Sequence, residues 1–273
     1  MCYNIFMNRS VSLVLAVTTF LLVAITSTFA IAKSNVSPFN SYAPPAEYSQ
    51  ISEANAISNS RVGTFLEDIL SYEPKLQFSY ASWQPAINNT SESTRAKKVI
   101  IEELSKYSEQ TLSRMGLKKV YLVQRLYVDG TFRSAMPEPQ FDDALYFDVS
   151  SNYFESENGT YMRRTVHHEL SHLIDYNSFG TYRPQDNDWY RCNPINHTYG
   201  NGGASMYSDV AYAHAAHPKP GFITGYATSG VDEDRAEVFA HYMTNRNYLY
   251  ELAQNDASLS CKVARSEQLL SRL

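Results

Sequence analysis

Between Ser93 and Met115 the apolar residues Ile100, Leu104, Tyr107, Leu112 and Met115 recur at helical spacing, and Gly116 closes the run. Residues three and four apart share one helix face, so the pattern predicts a long helix over 93–115. The period then shortens. VYLVQRLYV, residues 120–128, stops at the turn dipeptide Asp129-Gly130, and ALYFDVSS, residues 144–151, alternates apolar with polar positions; both predict strands. A helical period returns over about 160–177, with Gly180 just past it, and two more helices are expected over about 232–250 and 256–272. Residues 178–222 are rich in Gly, Asn, Pro and Tyr and show little pattern, and a loop of that length inside a compact domain is usually functional or disordered. The order of elements predicts an α+β fold: a small sheet packed on the 160–177 helix, and a mainly helical C-terminal part.

The start of the chain departs from this pattern. A short polar lead with Arg9 precedes VSLVLAVTTFLLVAITSTFAIA, which ends in the small-x-small sequence Ala30-Ile31-Ala32. Residues 1–32 therefore have the form of a secretory signal peptide, with an uncleaved anchor as the alternative. Residues 33–60 are rich in Ser, Asn, Pro and Ala and are expected to be a flexible lead or short pro-segment, leaving 61–273 as the folded domain. Removal of the leader takes Cys2 and leaves Cys192 and Cys261, a disulfide pair in an exported chain or else two free buried thiols. Secretion or a periplasmic location is expected, with no stable membrane association once the leader is gone. A net charge of −5 supplies no basic footprint, so nucleic acid is not an expected partner.

The chemistry is concentrated in RRTVHHELSHLID, residues 163–175. His168 and His172 stand four apart on a predicted helix, one turn from each other on one face, where both imidazoles reach one cation. Glu169 sits about 100° around the helix, near the open side of such a cation, where a carboxylate takes a proton from a bound water. Random order of this composition yields the pattern only about 0.01 times per chain. Val166, Leu170, Leu173 and Ile174 form a core-facing stripe, while His168, His172 and Asp175 lie opposite, as on one wall of a cleft. The bland alternative is a pair of solvent-facing histidines.

Catalytic zinc commonly takes three protein ligands and keeps one position open. A metzincin would place a third His six residues after His172, but Ser178 stands there, and Asp175 replaces the required Gly. Downstream, Glu233, Ala236, Glu237 and Ala240 form a helical stripe bearing two carboxylates. One would ligate zinc and the other would hold a ligand histidine. The competing explanation, an exposed helix start with acids favoured by the dipole, suits Asp232 and Asp234 better than Glu237.

HELSHLIDY together with TGYATSGVDEDRAEVF resembles the gluzincin zinc peptidases of the lethal-factor and Pro-Pro endopeptidase type, in which a Tyr precedes E-x-x-A-E by seven residues. Tyr226 and Glu233 have that spacing. The resemblance implies a zincin-like domain with Glu233 as third ligand to one zinc and Glu237 supporting a ligand histidine. It also implies that Tyr226 stabilises the oxyanion or assists the leaving group. It spans about 30 residues in two blocks and departs from the family at Ser171, where Gly is usual, and in the long polar loop between the blocks. The expectation is an exported zinc endopeptidase cutting peptide or protein substrates with Glu169 as base, and the strand near 144–151 pairing with extended substrate. A non-cleaving module on the same fold, or a zinc hydrolase of another amide or ester, are the alternatives. His167 is expected at the surface or in packing, and His214 and His217 lie where they could line the cleft.

Overall fold

The apolar run at 120–128 becomes the centre of a sheet. The structure, a computed structural model, describes residues 53–150, 154 and 159–273, with side chains from 61, so the leader and residues 33–52 lie outside the described residues. Helix α1 (Glu53–Ile69) opens inside the stretch expected to be an irregular lead and runs into β1 (Leu70–Ser71) and β2 (Ala81–Pro85). Helices α2 (Ser91–Leu104) and α3 (Glu109–Arg114) then precede four strands: β3 (Lys119–Val128), β4 (Thr131–Phe132), β5 (Ala135–Glu138) and β6 (Ala144–Asp148). The single helix expected over 93–115 is broken because Ser108 folds its side chain onto Thr111 N–H and caps a new helix. Such a cap competes with continuation of the preceding helix.

In the six-stranded sheet β3 and β6 run parallel, with Val120 opposite Leu145 and Leu122 opposite Phe147. On its other side β6 pairs antiparallel with β5, Met136 facing Tyr146. Both edges of β6 are thus taken, which overturns the expectation that this strand pairs with substrate. Its residues are buried on both faces instead of alternating. Next to β6, at the end of the strand order, β5 keeps one edge unpaired among the described residues.

One sheet face, with Val120, Leu122, Leu145 and Phe147, packs on α4 (Thr160–Phe179) through Val166, Leu170 and Leu173, and on α2 through Ile100 and Leu104. Truncating a residue such as Leu170, which is fully buried, would cost about 2–5 kcal/mol. The other face carries Tyr121, Val123 and Tyr146 under Phe78 and Trp83. Helix α4 ends at Gly180, whose φ of 69° is the left-handed cap expected there. The fold is α+β, with the sheet on the histidine helix and a helical C-terminal part.

The loop over 178–222 holds several short elements: α5 (Asn187–Arg191), a 3₁₀ turn over Gly203–Ser208, α6 (Val210–Ala213) and β7 (Ala216–Lys219). β8 (Phe222–Thr224) pairs with β7. The C-terminal helices are α7 (Val231–Thr244), α8 (Arg246–Gln254) and α9 (Ala257–Leu270), so the helix expected over 232–250 breaks at Asn245. Cys192, at the end of α5, and Cys261 on α9 stand at disulfide distance, with Cα atoms 5.4 Å apart. Among the described residues no helix is long and apolar enough to cross a membrane.

Candidate metal centre

Helices α4 and α7 lie against each other, and a buried ion pair fixes their register. Arg235 of α7 donates from Nη2 to Asp175 Oδ1 of α4 at 2.8 Å and also bonds Asp186. A forked guanidinium–carboxylate bond is directional, so it sets angle as well as distance. Asp175, read from the sequence as part of the cleft face, serves this joint. The start of α7 is not the exposed acidic turn that the dipole explanation requires. Asp232, Glu233 and Asp234 are all buried, and Asp234 accepts from Trp189 Nε1 at 2.8 Å and pairs with Lys262 at 2.7 Å.

This packing brings Glu233 against the two histidines. His168 Nε2 lies 3.2 Å from His172 Nε2 and 3.1 Å from Glu233 Oε2, and His172 Nε2 is 3.5 Å from the same oxygen. Among the described residues, His168, His172 and Glu233 are the group whose ligand atoms converge, all within 4.8 Å of one another. Two imidazole nitrogens and a carboxylate oxygen pointing at one spot, with no Lys or Arg side chain between them, form a donor set that a divalent cation satisfies. The site is compatible with one zinc ion.

The supporting contacts come from elsewhere. His168 Nδ1 is 2.9 Å from Glu237 Oε1, and the other Glu237 oxygen accepts from Thr224 Oγ1 at 2.9 Å. Tyr226 donates its hydroxyl to Glu233 Oε1 at 3.1 Å. Gly203, in the 3₁₀ turn, presses on the same pair: a Cβ there would collide with the Tyr226 hydroxyl and the Glu233 carboxylate. Neither Thr224 nor Gly203 carries a sequence signal for this role, since each acts through a neighbour distant in the chain.

The electrostatics follow from burial and pairing. Burial pushes His168 down, but the Glu233 and Glu237 carboxylates more than reverse it and hold the imidazole well above its usual range. His172 is raised by Glu233 in the same way against burial. Burial opposes ionisation of Glu233 and Glu237, yet both lie well below the carboxylate range, Glu233 through its bonds to the two histidines and Glu237 through Arg164 and His168. Glu169 behaves oppositely: burial raises it, and the two histidines only partly offset that.

A cavity of about 340 Å³ opens over the cluster, lined by His168, Glu169, His172, Tyr226 and Glu233 with Ala135, Met136 and Pro137 of β5. A second, of about 210 Å³, shares His168, Glu169 and Tyr226 with the first and is lined by His214 but not His217, whose Nδ1 instead bonds Phe222 O at 3.0 Å. His167 is not a surface residue. It is fully buried behind the site, bonding Glu103 through Nε2 at 2.7 Å and Tyr107 through Nδ1 at 2.7 Å.

Residues 144–271 match the model of a family described as "putative zinc-binding metallo-peptidase". The matched stretch is a little under half of the 273-residue chain and contains His168, His172 and Glu233 as well as Glu169, Tyr226 and Glu237. The chain is therefore similar to zinc metallopeptidases, and the match supports peptidase activity. No curated protein matches the chain.

Proposed function

We infer that this chain is an exported zinc-dependent endopeptidase. The observation that carries the reading is the convergence of His168, His172 and Glu233 on the wall of a cavity that also holds Glu169 and Tyr226. His168, His172 and Glu233 would hold one zinc, and Glu237 would fix the His168 ring through Nδ1–H. Bound zinc supplies Lewis acidity, which brings the pKa of a water to about 7.

Glu169 does not join the ligand cluster, and its raised pKa suits a group that takes a proton and gives it back. It accepts the water's proton on its carboxylate and delivers it to the departing amine nitrogen. Tyr226 keeps its proton, because burial and then the Glu233 charge raise its pKa well above the usual value. Its hydroxyl therefore remains a donor to the carbonyl oxygen as negative charge builds there. The free edge of β5, along the same cavity, suits an extended peptide bonded through its main chain. Pro137 offers no N–H, so pairing falls to its neighbours. The leader sequence and the Cys192–Cys261 pair support export.

Zinc content and peptide-library cleavage, measured on the wild type and two variants, test the reading. His172→Ala is expected to lose metal and activity. Glu169→Gln is expected to keep zinc and lose cleavage, because an amide cannot take the proton. Full zinc content in His172→Ala, or loss of zinc from Glu169→Gln, refutes the assigned roles.

A further inference from the structure

The second cavity shares Arg133 with the first and adds a second guanidinium, Arg164, together with Tyr161, Thr165, Met206 and His214. Among the described residues neither arginine has a carboxylate within ion-pair distance, whereas Arg163 beside Arg164 bonds both Glu102 and Glu103. Each instead rests on an aromatic ring, Arg133 Cζ at 4.2 Å from the Tyr207 centroid and Arg164 Cζ at 5.8 Å from that of Tyr161. Such stacking orients a guanidinium without neutralising it.

Neither acid lining the cavity, Glu169 or Glu237, forms a close ion pair with either arginine among the described residues. Glu237 is engaged by His168 Nδ1 and Thr224 Oγ1, and Glu169 faces the metal side as well. Arg164 stands on the same cavity wall as Glu237 and His214. Its position is also informative. Arg164, His168 and His172 follow one another at four-residue steps along a single face of α4. One helical turn, about 5–6 Å of helix axis, therefore separates the backbone position of Arg164 from that of His168. A carboxylate bound there belongs to a residue next to the bond being cut.

We propose that the cavity lined by Arg133 and Arg164 binds a substrate carboxylate beside the scissile bond, so that acidic peptides are preferred. The carboxylate comes from an Asp or Glu side chain or from the peptide's own C-terminus. This rests on the peptidase reading, and a binding measurement separates the two.

The test uses zinc-loaded full-length Glu169→Gln protein and fluorescent peptides that differ by Glu or Gln at one position. Each is made as a C-terminal acid and as an amide, and affinity is read by anisotropy. A charge-assisted, two-pronged bond is expected to tighten Kd about ten-fold. Tightening by internal Glu assigns the side chain, and tightening by the free acid over the amide assigns the terminus. Arg164→Lys should keep the preference, Arg164→Gln should remove most of it, and Arg164→Glu should reverse it toward the Gln and amide peptides. The Lys variant guards against a mere folding defect. Equal binding of all four peptide types, no binding of any, or a preference that survives loss of both arginines overturns the assignment. The same peptides given to wild-type enzyme complete the test. Acid-selective binding with no cleavage anywhere sinks the peptidase reading and leaves the pocket standing, while cleavage indifferent to acid sinks the pocket alone.

Discussion

His168 touches two carboxylates at once: Nε2 lies 3.1 Å from Glu233 and Nδ1 2.9 Å from Glu237, one turn further along α7. The imidazole is bracketed, with one carboxylate on the metal side and the other behind. The two glutamates share a helix face, so only their contacts separate their roles. Losing a ligand removes a bond to the metal, whereas losing its support typically costs about 10- to 100-fold in affinity. Glu233→Ala is therefore expected to be nearly metal-free on dilution, and Glu237→Ala to bind zinc weakly with residual activity. Competition titration against a chelating dye ranks them, and the reverse order would undo the assignment.

Tyr226→Phe is expected to retain zinc and lose about 10²- to 10³-fold in kcat, the usual effect of removing one oxyanion donor. The hydroxyl also bonds Glu233 in the resting site, so zinc content must be measured alongside the rate. A variant with wild-type kcat would remove Tyr226 from the reaction.

Cys192 and Cys261 are separated by 69 residues in sequence. On the chain-entropy model, closing a loop of that size restricts the unfolded chain by about 4 kcal/mol. A Cys192→Ser, Cys261→Ser protein is expected to unfold at markedly lower denaturant with its zinc site retained. Intact mass of the unreduced wild type decides the premise, since two free thiols there would refute it.

Acid sensitivity should appear above the range where carboxylates titrate. His241 is buried, with Nδ1–H donating to Glu237 O at 2.8 Å. Burial first, and the Arg164 charge next, push its pKa down to about 4. In the unfolded chain the same group protonates near pH 6.5. The folded protein thus binds fewer protons between these values. The stabilisation is complete above about pH 6.5 and drains away as pH falls toward 4, by about 3 kcal/mol in total. Denaturant unfolding of metal-free protein at pH 7 and 4.5 should show a smaller loss for His241→Gln than for wild type. Equal losses would mean that His241 is not held neutral.

Local pattern was enough for the part of the site that is local. His168 and His172 share a face of α4 because four residues make about one helical turn, and that holds wherever the helix sits. The stripe of Val166, Leu170 and Leu173 likewise named the side that meets the sheet, and the order of strands and helices announced an α+β fold. Glu233 and Glu237 were visible as two carboxylates on one helical stripe, Glu237 too deep in the helix for the dipole to explain it, though their ranking rested on a resemblance.

Contacts across the chain decided the rest. Periodicity continues through Ser105–Ser108 and Asn245, but the helices end there: at Ser108 a side-chain bond to Thr111 N–H outweighs the weak preference to propagate, and at Asn245 the backbone leaves the helical conformation without a side-chain cap. The strand at 144–148 looked half-exposed, yet β3 and β5 occupy both its edges, so β5 is left facing the cavity. His167, one residue from a metal position, points about 100° away from it and is sealed against Glu103 and Tyr107. Glu233 meets His168 across 65 residues of chain because Arg235 and Asp175 hold α7 to α4. The sequence determined which side chains share a helix face, because that depends on a fixed period. Which faces meet, and which charges they leave unpaired, depended on packing that no single segment contains.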